Sequence, residues 1–213
     1  IFYLLSALSI LAHILGDLIT SFGTMVFWPN MTRYEFGSVF IIDLFFTGII
    51  VAGLLVSWKF GDNIKLKANI AIFFSMLLVS YVELTNIFRD QAKNEMMIIM
   101  EDKYPNVNTE SFLFDAKPQM FLPTNWSGIA YDNKEEKYYY AKIDLLGNNY
   151  DLKQIFEFKK WGDLNRDRAI IVFEHPEMKF ARWFFQYPYV KNEDDKCVYF
   201  SDMRYMSSFR GKD

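Results

Sequence analysis

Between Ile1 and Trp28 the chain carries one formally charged side chain, Asp17, and one histidine, His13. The run is long enough to cross a bilayer, which needs about 20 mostly apolar residues. Within hydrocarbon every backbone polar group must be satisfied internally, and a helix does this without a partner strand. A helix advances about 100° per residue, so His13, Asp17, Thr20 and Thr24, spaced i, i+4, i+7 and i+11, share a stripe about 60° wide. Ser6 and Ser9 fall on it or beside it, and the rest of the surface is Leu, Ile, Phe, Val, Met and Ala. Ionisable groups inside a membrane are expensive and usually face a bundle interior or a cavity. The seam is therefore predicted to face other helices rather than lipid.

Two further apolar runs follow. Val39 to Trp58 carries Asp43 and Thr47, and Ala68 to Phe88 carries Glu83 and Asn86 near its end. Trp28 and Trp58 close their runs at interfacial depth. Most of the Asp, Glu, Lys and Arg lies beyond residue 88, so the overall hydrophobic content of 52% averages two unlike parts. This division predicts an α+β protein, with three transmembrane helices in residues 1–88 and a soluble, β-rich domain with an N-terminal helix in residues 89–213. The chain begins at Ile1, without an initiator Met and already within an apolar helix, so a fragment lacking upstream membrane helices is expected.

Three alternating spans would bring the end of the first, the start of the second and the end of the third to one membrane face. Asp17, Thr20, Thr24, Asp43, Glu83 and Asn86 would then meet in one leaflet, with His13 nearer the middle, and the soluble domain would emerge on that side. Lys59, Lys65 and Lys67 mark the loop after the second span as cytoplasmic. Arg33, Arg89 and Lys93 at the opposite face nearly balance them, and the reading leans to an extracytoplasmic soluble domain. In that domain, Arg89 to Lys103 reads as a helix. Ser127 to Tyr131 and Lys137 to Leu145 read as a hairpin joined through Asp132 to Glu136. Leu152 to Trp161 reads as a short helix, and Ala169 to Phe173, Phe180 to Phe185 and Cys197 to Tyr205 read as strands of a small sheet with one buried face.

Several function classes are excluded at once. A net charge of -3 without a basic tract argues against nucleic acid as a partner. The single cysteine, Cys197, excludes an intrachain disulfide and a cysteine-based zinc cluster. Gly-x-Ser-x-Gly, phosphate-loop and Cys/His signatures are absent. Asp163, Asn165, Asp167 and Glu174 imitate a calcium loop, but Arg168 stands where that loop needs glycine, and the likeness is coincidental. His175, before Pro176, reads as a surface histidine. His13 and Asp17, one helical turn apart, have two readings: joint ligands of one metal ion, or a buried hydrogen-bonded pair that holds helices together. Asp43 is either part of that site or an interfacial carboxylate reaching headgroup water.

The segments His13-Ile-Leu-Gly-Asp17-Leu-Ile-Thr20-Ser-Phe-Gly23-Thr24-Met-Val-Phe-Trp28-Pro29 and Phe40-Ile-Ile-Asp43-Leu-Phe-Phe-Thr47 resemble the YdjM-like integral membrane proteins. These are described as LexA-regulated, inner-membrane, metal-dependent hydrolases. The likeness is specific over about residues 10 to 50 and looser afterwards, around Trp126 and from Ser201 to Tyr205. It implies that His13 and Asp17 join histidines of an upstream His-Arg-x-x-Thr-His motif around a divalent metal ion, most simply zinc. It also implies a distant relation to zinc-dependent phospholipase C and nuclease-type enzymes, and hence phosphoester hydrolysis.

Two functions follow as expectations. In the first, a metal-dependent hydrolase of the bacterial inner membrane uses His13 and Asp17 as ligands and Asp43 as a ligand or a carboxylate beside the ligands. Thr20 and Thr24 orient ligands or water, and the substrate is lipid-linked or membrane-proximal. In the second, a non-enzymatic membrane protein, an envelope-stress component or a carrier, uses the polar seam structurally.

Overall fold

In a computed structural model, residues 2–60, 63–105, 111–147 and 155–206 are described. Three helices come first: α1 Phe2–Ile19, α2 Leu44–Lys59 and α3 Ile64–Lys103. They are followed by β1 Phe112–Pro118, β2 Asn125–Asp132, β3 Lys137–Asp144 and β4 Phe156–Lys159. Then come α4 Arg166–Glu174, α5 Lys179–Phe184, β5 Pro188–Glu193 and β6 Val198–Asp202. The architecture is α+β. The described residues of Ile1–Asp90 and Pro118–Asn125 form one compact unit, and those of Gln91–Lys117 and Trp126–Asp213 form a second.

The first unit is apolar and largely without a buried core: α1 and α2 bury no residue. Helices that are apolar all round belong in lipid, where no hydrophobic penalty attaches to their exposure. Two of them, α1 and α3, are long and apolar enough to cross a membrane, whereas α2, at 16 residues, is shorter. Of the three expected spans, two meet the length of a full crossing among the described residues, and the third is present as the shorter apolar helix α2. The first run also stops being helical at Ile19 rather than at Trp28. Gly23 takes a left-handed φ of 70°, and Thr20 and Thr24 form isolated β-bridges with Val39 and Tyr34. A helix leaves its last carbonyls unpaired. Here the Phe36 N–H donates to the Leu18 carbonyl, and the Ser38 and Val39 N–H groups both donate to that of Ile19. The returning backbone ends α1 in place of a further turn.

In the second unit, the sheet runs in the order β1-β2-β3-β4, and β5 pairs with β6 in a two-stranded ribbon. The expected hairpin is present as β2 and β3, and Asp132 Oδ1 accepts the N–H groups of Lys134 and Glu135 in the connecting turn. The predicted short helix over Leu152 to Trp161 is instead strand β4 where it is described, antiparallel to β3 with Tyr138 opposite Phe158 and Tyr140 opposite Phe156. The first residues of that segment lie outside the described ones. Both faces of β3 are buried, not one. On one face Tyr138 and Tyr140 join Ile129, Tyr189 and Met203 in the core. On the other, Tyr139 stacks on Phe112 and meets Tyr104 edge-on. Burial pushes the Tyr140 phenol pKa up, and its hydrogen bond with Ser127 partly offsets this.

Two expected strands are helices. In α4 the Asn165 side chain accepts the Arg168 N–H as N-cap. Ala169 and Phe173 are buried while Ile171 is 70% exposed. Burial of i and i+4 with i+2 in solvent is helical periodicity, and a strand would bury all three on one face. In α5 the rings of Phe180 and Phe184 stack one turn apart, with centroids 5.9 Å apart. Strand β5 was not anticipated, because Pro188 and charged neighbours hide its alternation. The Arg89 to Lys103 helix is present as the end of α3, where Ala92, Met96, Ile99 and Met100 are buried at helical spacing.

Gly128 in β2 makes the close approach of α3 possible. A Cβ there would lie 2.6 Å from Ile143 Cδ1 and 3.0 Å from Met96 Sδ.

Candidate functional site

The polar stripe of α1 opens onto a cleft of about 650 Å³ in the first unit. Its lining includes His13, Gly16, Asp17 and Thr20 from the α1 end, and Asp43, Phe46 and Thr47 from the start of α2. Three segments assemble it. The last two turns of α1 carry His13 and Asp17 on one face. The return of the chain to Val39 closes the α1 end and delivers Phe40 to Asp43. The first turn of α2 then starts at the Asp43 cap.

His13 Nε2 and Asp17 Oδ2 stand 3.7 Å apart, beyond hydrogen-bond length, and the two side chains are 80% and 49% exposed. The pair makes no direct hydrogen bond, and both residues line the cleft. Ligand bonds from imidazole nitrogen or carboxylate oxygen to zinc are about 2.0–2.2 Å, so a 3.7 Å separation lets both atoms hold one ion. Among the described residues no group of three or more His, Cys, Asp and Glu side chains is placed to hold a metal. The donors present therefore fit two positions of a site and no more.

Asp43 is the best-anchored carboxylate of the cleft. Its Oδ1 accepts the Phe46 N–H at 2.8 Å, capping α2, and its Oδ2 accepts the Tyr81 hydroxyl of α3 at 2.8 Å. Both oxygens keep lone pairs that could accept another partner. Thr20 donates its hydroxyl to the Asp17 carbonyl at 2.8 Å, so it braces the helix end and not the Asp17 side chain. Thr24, Glu83 and Asn86, which were expected to converge with these groups, are not among the residues lining the cleft. Thr24 is drawn away by its bridge to Tyr34, since the helix that would have aligned it has ended.

Tyr81 and Arg89 were not anticipated. Arg89 donates to the Phe36 carbonyl and so ties α3 to the returning segment. The available signal for Tyr81 was the one phenol of the third run, a residue type that needs a partner when removed from water. Replacing Tyr81 by Phe is expected to cost about 0.5–1.5 kcal/mol by loss of one hydrogen bond. Thermal unfolding in detergent reads this, and an unchanged midpoint would show that the bond contributes nothing.

The fold and cleft define a class: a membrane protein whose helical unit holds a polar, ionisable recess. The family is equally specific. Residues 1–87 match the family described as YdjM inner membrane protein. No curated protein and no solved structure matches the chain.

Proposed function

We propose that the protein is a metal-dependent hydrolase of the inner membrane, acting on a lipid-linked or membrane-proximal phosphoester. The observation that supports this most is the single cleft shared by His13, Asp17 and Asp43. In this reading His13 and Asp17 are two ligands of a divalent ion, zinc by donor type. Such an ion, when bound, polarises the scissile group and lowers the pKa of a bound water towards neutrality. The chain's own part is positional. The α1 turn holds the two donors on one face, Thr20 fixes the backbone at Asp17, and Asp43, held by Phe46 and Tyr81, keeps a carboxylate at the cleft wall. Ile19, Val39 and Ile50 supply apolar wall to the cleft.

The test is elemental analysis of purified protein in detergent. Wild type is expected to retain zinc or manganese near stoichiometry. Asp17→Asn and His13→Ala are expected to lose at least about tenfold in apparent affinity, since even groups that only support a ligand cost that much. Metal retained in full by both variants would remove the ligand assignment. Metal bound without turnover in a phosphoesterase screen would remove the hydrolase.

The second reading is a non-enzymatic membrane protein with a structural seam. It is favoured by one observation: both Asp43 oxygens already serve the fold. Absence of metal from wild type is the result it predicts.

The soluble part is assigned to the extracytoplasmic side on the lysines after α2. Cys197 is the only cysteine and is exposed, so a membrane-impermeant maleimide is expected to label it in spheroplasts. Labelling only after lysis would reverse the orientation.

A further inference from the structure

The loop joining β1 to β2 is short, ordered and apolar at its tip. The Gln119 N–H donates to the Asn125 carbonyl at 2.9 Å, and the Asn125 N–H donates to the Leu122 carbonyl at 3.1 Å, so the loop is closed on itself. Its tip exposes three consecutive large apolar side chains: Met120 at 38%, Phe121 at 64% and Leu122 at 48%. Phe121 has a φ of 81°. The left-handed region is an outlier for a bulky residue and persists only where the surrounding structure enforces it. A chain seeking only a tight turn would place glycine there. No charged residue occurs between Lys117 and Asp132.

Two further observations say what the tip meets. Residues Pro118–Asn125 belong to the same compact unit as α1, α2 and the membrane part of α3, and not to the unit that contains the strands they connect. That unit matches an inner-membrane family over residues 1–87, and its apolar helices α1 and α2 bury no residue. Exposed apolar clusters mark contacts with a protein or a membrane, and on a unit made of membrane helices the bilayer interface is the nearest apolar phase.

We propose that the β1–β2 loop is seated in the bilayer interface, with Met120, Phe121 and Leu122 as its lipid-facing residues. The loop is then a membrane contact additional to the helices, supplied by a sequence-distant segment. This is independent of any metal or catalytic role for the cleft.

The test uses the full chain, with Cys197 replaced by Ser, in vesicles of phosphatidylethanolamine and phosphatidylglycerol. An environment-sensitive fluorophore is placed at Leu122→Cys, and at Met120→Cys as a second position should the first variant fail to fold. A reference fluorophore sits at Lys134→Cys, in the exposed β2–β3 turn. At 122 and 120 the emission is expected to be blue-shifted and quenched by nitroxide-labelled lipid several-fold more than at 134. Emission and quenching equal to those at 134 would overturn the proposal. A blue shift without lipid quenching would assign the tip to a protein contact and would also overturn it.

Discussion

Replacing Asp202 by Ala is expected to destabilise the second unit by about 3–5 kcal/mol, the cost of breaking a buried pair from one side. The side chains of Asp202 and Arg204 are 0% and 3% exposed, with Arg204 Nη2 2.8 Å from Asp202 Oδ2. That carboxylate also accepts the Gln186 N–H at 2.7 Å, and its other oxygen accepts the Arg204 N–H at 2.9 Å. Arg204 lies over the rings of Phe184 and Tyr205 and donates to the Phe184 carbonyl. A guanidinium cannot shed its charge in this pH range. Removing Asp202 therefore takes the counter-charge from a buried cation and this acceptor from the Gln186 and Arg204 amides together. Urea unfolding followed by tryptophan fluorescence measures the loss. Asp167→Ala, on the exposed face of α4, is the control, with an expected change of about 0.5 kcal/mol or less. Equal effects from the two substitutions would mean that the pair contributes little.

A comparable loss is expected from Asp115→Ala. Asp115 and Lys117 lie two residues apart on β1 and so on one face of the strand. The Lys117 side chain is 1% exposed, and its Nζ is 3.0 Å from Asp115 Oδ2. Tyr187 donates its hydroxyl to the same oxygen, and the ammonium also sits over the Tyr187 ring. Taking the carboxylate away removes the counter-charge of a buried ammonium, at about 3–5 kcal/mol. The triple replacement Asp115→Leu, Lys117→Met and Tyr187→Phe removes both charges and the phenol together and is expected to recover most of the loss, because apolar groups of similar size often replace a buried pair at little cost; the Ala116 N–H that Asp115 Oδ1 accepts at 2.8 Å is the bond it does not restore. If the triple variant were as unstable as Asp115→Ala, local packing and not charge would be responsible.

The elements that could be read from sequence are those whose local signal agrees with their surroundings. The β2–β3 hairpin follows from β-branched and aromatic runs around Asp132, and the later part of α3 from the continuation of the third run as a helix through Lys103. The likeness of residues 10 to 50 to the YdjM family agrees with the match over residues 1–87. The end of α1 was hidden because apolar composition continues to Trp28. What stops the helix is backbone pairing with residues 36–39, which lie far along the chain. Helices α4 and α5 were obscured by Ile, Val, Phe and Trp, residues of high β propensity. The Asn165 cap and the placement of Ala169 and Phe173 against the core override that preference. The meeting of His13 and Asp17 was legible from spacing within one helix. The engagement of Asp43 by Tyr81 was not, because it joins residues 38 positions apart.

Gly128 carries a consequence for how this sequence can drift over generations. The space a side chain would need there is already held by Ile143 and Met96, one from β3 and one from α3. An alanine at 128 requires the end of the Ile143 or Met96 side chain to move aside. The three positions thus share one space, and bulk gained at one is taken up by its neighbours, through a changed rotamer or a smaller residue.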